Sequence, residues 1–335
     1  MQEDVVSGGA GDGSPRRQLS ADGRQLTDHN ASRGDAAFRG LTRTAGVSVL
    51  VLIAAIAVFL IAKAVPAIQK DTVNFFTSSA WSPDASPSVF GIAALAAGTL
   101  VSSVLALIIG VPIAVGVALF ISHYAPRRLA QGLGYIVDLL AAVPSVVYGL
   151  WALVYLVPAM VPLSKWLHTY LGFIPIFASD GTYGKSLLVG GVVLAVMILP
   201  IVAAISREVF LLAPREHIEA AYALGATRWE TMRMVVLPYG RPGVISATVL
   251  GFGRALGETI AVALILPANY IATLHILEPK GNSIAANIAN VYGDAGDIGR
   301  GALIASGLVL FAITLVVNIG ARLVVARRRE FRAAT

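Results

Sequence analysis

The sequence predicts an all-α integral membrane protein with six transmembrane helices and both termini in the cytoplasm. Three observations carry this prediction. Hydrophobic residues make up 56 % of the 335 residues and charged residues only 13 %, about half the charged share of a soluble domain, and the mean hydropathy is +0.76. The apolar residues gather into six runs, roughly 45–65, 89–121, 132–158, 187–206, 244–268 and 301–325; each reaches the ~20 residues that a helix needs to cross the hydrocarbon. With the N-terminus placed inside, eighteen of the 25 Lys and Arg fall on cytoplasmic segments and six on outer ones, the bias that sets membrane orientation. Short alternating strands, the mark of a transmembrane β-barrel, are missing from the sequence pattern.

The elements follow in order. Residues 1–38 are rich in Gly, Ser, Asp and Arg and poor in large apolar residues, so they bury too little surface to offset the entropy of ordering and are expected to form a disordered cytoplasmic tail. The order of basic, apolar and small residues that marks a signal peptide is missing. Residues 39–88 hold the first transmembrane helix and an outer loop; 89–326 form the core of the membrane domain; 327–335 form a basic C-terminal end. The second and third runs exceed the span length, which predicts tilt or extension beyond the membrane. Pro112, Pro144 and Pro200 are expected to kink their helices.

Several function classes drop out. The net charge of +6 is explained by the cytoplasmic arginines and needs no nucleic acid. With no cysteine, disulfides, thiolate metal sites and cysteine nucleophiles are excluded. The histidines His29, His123, His168, His217 and His275 show no metal-ligand spacing. "SDGTYGKS" (179–186) ends like a phosphate-binding loop but has Ser179 where that pattern opens with glycine, and it leads into a membrane helix. "GFGRALG" (251–257) spaces its glycines wrongly for a dinucleotide fingerprint. Its Gly253 and Gly257 form a small-residue step, open to packing within this chain or against a partner subunit. A membrane-embedded enzyme would need His, Asp or Ser clustered near one membrane surface, and the sequence shows no such cluster.

The loop at about 207–243, "REVFLLAPREHIEAAYALGATRWETMRMVVLPYGRPG", is too polar to span and too rich in helix formers to be slack. A short helix through Glu219–Leu224 is expected to end at Gly225. Thr227 caps the next helix, with Glu230 completing a capping box; Pro238 and Pro242 punctuate the entry to the fifth span. Here "EAAYALGATRWETMRMVVLP" resembles the EAA loop of bacterial ABC importer permeases, with Glu219, Ala220, Ala221, Gly225, Leu237 and Pro238 in register and Val235 in place of the usual Ile. "AAVPSVVYGLW" (141–151) and "GFGRALGETIAV" (251–262) resemble segments of the permeases of the high-affinity phosphate importer, closest to the PstC type.

The resemblance implies a type I ABC importer (MetI-like) permease fold in a bacterial plasma membrane, where one permease forms half of a phosphate translocation pathway. It implies a complex with two copies of an ATPase, a second homologous permease and an extracytoplasmic phosphate-binding protein. The EAA loop would dock on the ATPase. No cofactor is implied in this chain; ATP and Mg belong to the ATPase. Another oxyanion, such as sulfate or molybdate, is the alternative solute. An energised mechanism suits an anion, since each negative charge moved into a cell works against about 2.3 kcal/mol per 100 mV.

The fifth run raises the sharpest question, since it carries Arg254 and Glu258 among apolar residues. Counted from Val244, Arg254 falls near the bilayer midplane, where an arginine costs about 2.5–3.5 kcal/mol. Glu258 follows at i+4 on the same face of a continuous helix. The pair is either a structural ion pair locking helices together or a site where Arg254 meets a passing phosphate, with Glu258 holding or neutralising the guanidinium between solutes. Thr259, Ser145 and Tyr148 are candidates to offer hydroxyls along the same pathway, unless they bond the backbone of their own helices. Asp138 is expected to lie near the inner surface, hydrated or paired with Arg127 or Arg128.

Overall fold

The structure is a computed structural model that describes residues 33–333. It is helical, apart from a two-residue antiparallel pairing of β1 (Trp81–Ser82) with β2 (Val89–Phe90). Among the described residues, six helices are long and apolar enough to cross a membrane. The chain divides into two compact units, one ending at Ile56 and one beginning at Ala57, and helix α1 (Arg33–Ile68) runs through the division. In the first unit the hydroxyls of Thr42, Thr44 and Ser48 donate to carbonyls four residues back. This hides their polarity on a helix whose Val47, Leu50 and Val51 are exposed. Residues 33–38, assigned to the tail on composition, are the start of this helix; the rest of that expected tail, residues 1–32, lies outside the described residues.

The second unit is built on α2 (Ala93–Tyr124), α5 (Leu187–Leu211) and α7 (Arg228–Gly257). Small residues let these backbones close up, as membrane helices need in the absence of a hydrophobic drive. A Cβ on Gly191 would stand 2.6 Å from the Leu105 side chain, one on Gly243 2.5 Å from Val209, and one on Gly251 2.9 Å from Val202. The order of these crossings, with 243 beside 209 and 251 beside 202, sets α5 and α7 antiparallel. Pro112 and Pro200 lie inside their helices. α10 (Asp297–Ala333) starts where Asp84 accepts from the amides of Gly296 (2.9 Å) and Gly299 (2.8 Å), a carboxylate at the positive end of a helix.

Two runs depart from expectation. The third is not one kinked helix. α3 (Arg127–Ala142) ends at an extended Val143–Pro144, and α4 (Ser145–Leu171) follows as the membrane-length helix. The residue before a proline is driven out of the helical region, and here that makes a break instead of a bend. The fifth run begins earlier than expected, at Arg228, with Pro238 and Pro242 absorbed near the start of the span. It then stops at Gly257: Glu258 is extended (φ −66°, ψ 125°), and a short α8 (Ile260–Ile265) resumes.

Candidate functional site

The two breaks meet. Gly149 of α4 lies so close to α8 that a Cβ there would stand 2.8 Å from the Cα of Ala261, and Tyr148, Ala255 and Ala261 share one buried cluster. "PSVVYGL" and "GETIAV", far apart in sequence, thus form the two sides of one junction. Its depth can be read against α5. Gly251 faces Ile198 and Val202 in the middle of that helix, and Arg254 lies one turn further along α7. Arg254 therefore sits on α7 opposite the middle of α5.

The expected pairing within the junction is absent. α7 ends at Gly257, Glu258 stands at the turn into α8, and no ion pair joins it to Arg254 among the described residues. Glu258 instead turns back along α8, where its Oε1 accepts from the Ala261 amide at 3.3 Å. Thr259 donates its hydroxyl to the Gly257 carbonyl at 3.1 Å. Tyr148 is buried and donates to the Leu140 carbonyl at 2.9 Å, across the α3–α4 break. Ser145 is the first residue of α4, half-buried, and its side chain does not cap the helix. Arg254 is half-buried and makes no hydrogen bond or ion pair with the described residues; its charge reaches the Tyr148 phenol.

Chemically, the junction offers one guanidinium at mid-depth beside the open N-terminal end of a 27-residue helix, both favouring an anion. Irregular backbone at such depth is tolerated where it is buried in protein or lines a polar cavity. Broken helices meeting at the centre of a bundle are a recurrent way of building a solute site.

The loop after α5 follows its local sequence signals. α6 (Arg215–Ala223) ends before Gly225, whose φ of +86° needs glycine. Thr227 and Glu230 form the complete capping box. Glu219 and Ala220 are exposed, Ala221 is buried, and Leu237 and Pro238 are half-buried at the start of the regular α-helical part of α7. Tyr222, Leu224 and Trp229 are exposed large apolar residues on a polar loop, Leu224 to 90 %.

Two further clusters are not marked by any spacing or periodicity in the sequence. Asp138 pairs with neither Arg127 nor Arg128; it stands 3.8 Å from Arg207 of α5. At the opposite end of the bundle, Glu278 is buried and ties two loops together. Its Oε1 accepts from the Asp180 amide at 2.8 Å, and Lys280 lies 2.8 Å from Glu278 and 3.0 Å from Asp180. Burial pushes the Glu278 carboxyl up, but the bonds from Lys280 and the Asp180 amide outweigh it and hold the group below its usual range. The Asp180 carboxyl lies well below the usual range through the Thr182 hydroxyl and then Lys280. Glu278 and then Asp180 raise Lys280.

The model of the family described as "Binding-protein-dependent transport system inner membrane component" matches residues 110–330. The chain is 44 % identical over 297 residues to "Phosphate transport system permease protein PstC 2" of Mycobacterium tuberculosis, covering 87 % of this chain and 92 % of that protein. It is 38 % identical over 317 residues to "Phosphate transport system permease protein PstC" of Xylella fastidiosa, covering 93 % and 96 %. Among solved structures, a chain of a bacterial alginate ABC transporter in complex with alginate pentasaccharide-bound periplasmic protein aligns with a TM-score of 0.50 and 18 % identity, over 69 % of this chain and 76 % of that one.

Proposed function

Because the chain belongs to the family of binding-protein-dependent transport system inner membrane components, we propose that it carries inorganic phosphate across the membrane at the junction of its two broken helices. It is the permease component of an ABC phosphate importer, a multi-pass inner-membrane protein that is not itself catalytic. The observation that carries the site assignment is Arg254: a permanent charge at mid-depth without a protein partner among the described residues, next to a helix that begins inside the bundle. A guanidinium matches a phosphate with two parallel charge-assisted hydrogen bonds. Removing water from the junction as the bundle closes strengthens that attraction.

Each other part has a role in this reading. Glu258 is a second, acidic element of the junction that takes Arg254 when the solute has passed and α8 shifts; Ser145 offers its hydroxyl to the anion. Glu219, Ala220, Ala221, Gly225, Leu237 and Pro238 form the surface and frame of the coupling loop, which faces the cytoplasm with both termini. The exposed Tyr222 and Leu224 supply apolar area for an ATPase subunit, present in two copies with ATP and Mg. A second homologous permease completes the pathway, and an extracytoplasmic binding protein delivers phosphate to the opposite end.

The experiment is uptake of labelled phosphate by cells lacking this chain and complemented with it, with labelled sulfate as control. Restored phosphate uptake with unchanged sulfate uptake is the expected result. Restored sulfate uptake alone transfers the same architecture to another oxyanion and removes phosphate as the solute.

A further inference from the structure

The strongest unassigned feature lies where α3 meets the end of α5. The Arg207 side chain is largely buried, 17 % exposed, and lies across α3 at Gly134, where any Cβ would collide with its Nη1. Its Nη2 stands 2.8 Å from Glu208 and 3.8 Å from Asp138, one turn beyond Gly134 on the same face of α3. A cavity of about 590 Å³ adjoins the contact, lined by Arg127, Gln131, Tyr135, Asp138, Arg207 and Glu208 among others; the guanidinium has room to move. The other end of α3 is tied to α4 by the Tyr148–Leu140 hydrogen bond. Between α3 and α4 the backbone is extended at Val143–Pro144, so no run of helical hydrogen bonds bridges them.

We propose that Arg207 is a positioning residue that clamps α3 to the helix bearing the coupling loop. Movement of that loop then passes through α3 and the Tyr148 hydroxyl to α4, and so to the pathway. The order of contacts is continuous: α6 follows α5 within a few residues, Arg207 joins α5 to α3, and Tyr148 joins α3 to α4 beside Arg254. The clamp has the character of a contact that is remade in each cycle. A pair at 3.8 Å with a half-exposed carboxylate contributes little to fold stability, and the glycine beneath it leaves a slot instead of an interlock. Apart from it, α3 and α5 meet through apolar packing of Leu133 and Val137 with Val202 and Ala203 among others, a contact that slides more readily than one held by charge. The inference rests on α4 lining the phosphate pathway.

The test uses the assembled complex in proteoliposomes, with binding protein inside the assay, and reads both ATP hydrolysis and phosphate accumulated per ATP. Asp138→Asn and Gly134→Leu, the second displacing Arg207 while keeping both charges, are expected to retain ATP hydrolysis and lower phosphate per ATP by about fivefold or more. Arg207→Lys, which keeps the charge, is expected to recover part of the loss seen with Arg207→Gln. Normal phosphate per ATP in Asp138→Asn and Gly134→Leu overturns the proposal. So does a parallel loss of ATP hydrolysis, thermal stability and complex assembly, which is the signature of a purely structural contact. A wild-type complex that hydrolyses ATP and takes up no phosphate instead overturns the reading of the pathway.

Discussion

Arg254→Ala separates a structural charge from a functional one, because the two roles predict opposite signs. An arginine at mid-depth costs about 2.5–3.5 kcal/mol to hold in the membrane. In this structure nothing among the described residues returns that cost, since Arg254 makes neither a hydrogen bond nor an ion pair with them. Removing it should therefore leave the thermal midpoint of the purified chain unchanged or raise it. Transport behaves differently. Losing two charge-assisted hydrogen bonds to the moving anion, each worth roughly 1.5–3 kcal/mol, lowers the rate by about a hundredfold or more. The assay is initial phosphate uptake at matched membrane levels, paired with thermal denaturation in detergent. Arg254→Lys, which keeps charge without the planar fork, should fall between. Uptake within about twofold of wild type for Arg254→Ala refutes the argument, and a lower midpoint with normal uptake turns Arg254 into a structural residue.

Three further outcomes follow from the same geometry. Gly149→Val drives a side chain into Ala261, whose Cα would be 2.8 Å from the new Cβ; overpacking of about 1–3 kcal/mol should lower the thermal midpoint and transport together. Leu224→Asp changes a residue that is 90 % exposed, so the permease should fold normally, within about 0.5 kcal/mol, while co-purification of the ATPase is lost. The Glu278–Asp180–Lys280 cluster sets a pH window. The depressed carboxyls stabilise the two loops above the ordinary carboxylate range, near 4, and that support is lost as pH falls through their folded values. The raised lysine stabilises them below its ordinary value, near 10.4, and its support is lost as pH rises through the folded value. The protection factors of residues 173–186 and 266–283, taken relative to the intrinsic exchange rate at each pH, should be flat between those limits and fall outside them. Lys280→Met should move the acid limit upward; an unchanged limit removes the cluster as the tie.

What the sequence made legible was local. Thr227, Glu230 and Gly225 act on their immediate neighbours, so a capping box and a left-handed stop could be read directly and are present. The six apolar spans are equally local, since length and hydropathy decide them. The breaks were not legible. Pro144 signals an interruption, but whether a helix bends or separates depends on what its neighbours repair, here the Tyr148–Leu140 bond. The second break has only Gly257 as a sign, a residue that helices in membranes also tolerate. The i,i+4 spacing of Arg254 and Glu258 predicts a pair, but the break gives the Glu258 carboxylate the Ala261 amide to accept from, and spacing does not reveal that competitor. Arg207 finds Asp138 far away in the chain, which no spacing rule can reveal.

The breaks also redistribute roles within the proposed pathway. Ending a helix at mid-depth strips carbonyls and amides of their intrahelical partners, each costing several kcal/mol if left bare in hydrocarbon. Tyr148 repairs the Leu140 carbonyl, Thr259 the Gly257 carbonyl and Glu258 the Ala261 amide. The Tyr148 and Thr259 hydroxyls are thus already engaged in holding the junction ordered, and a donor committed to a carbonyl has no proton left for a phosphate. Thr259→Val should therefore cost stability, about 1 kcal/mol, while the uptake per folded complex stays close to wild type. Arg254→Ala should show the reverse pattern. Measured as uptake against thermal midpoint, the two variants should fall on opposite sides of the wild type. If Thr259→Val instead loses uptake at unchanged midpoint, its hydroxyl serves the anion directly, and the repair of the Gly257 carbonyl falls to some other group.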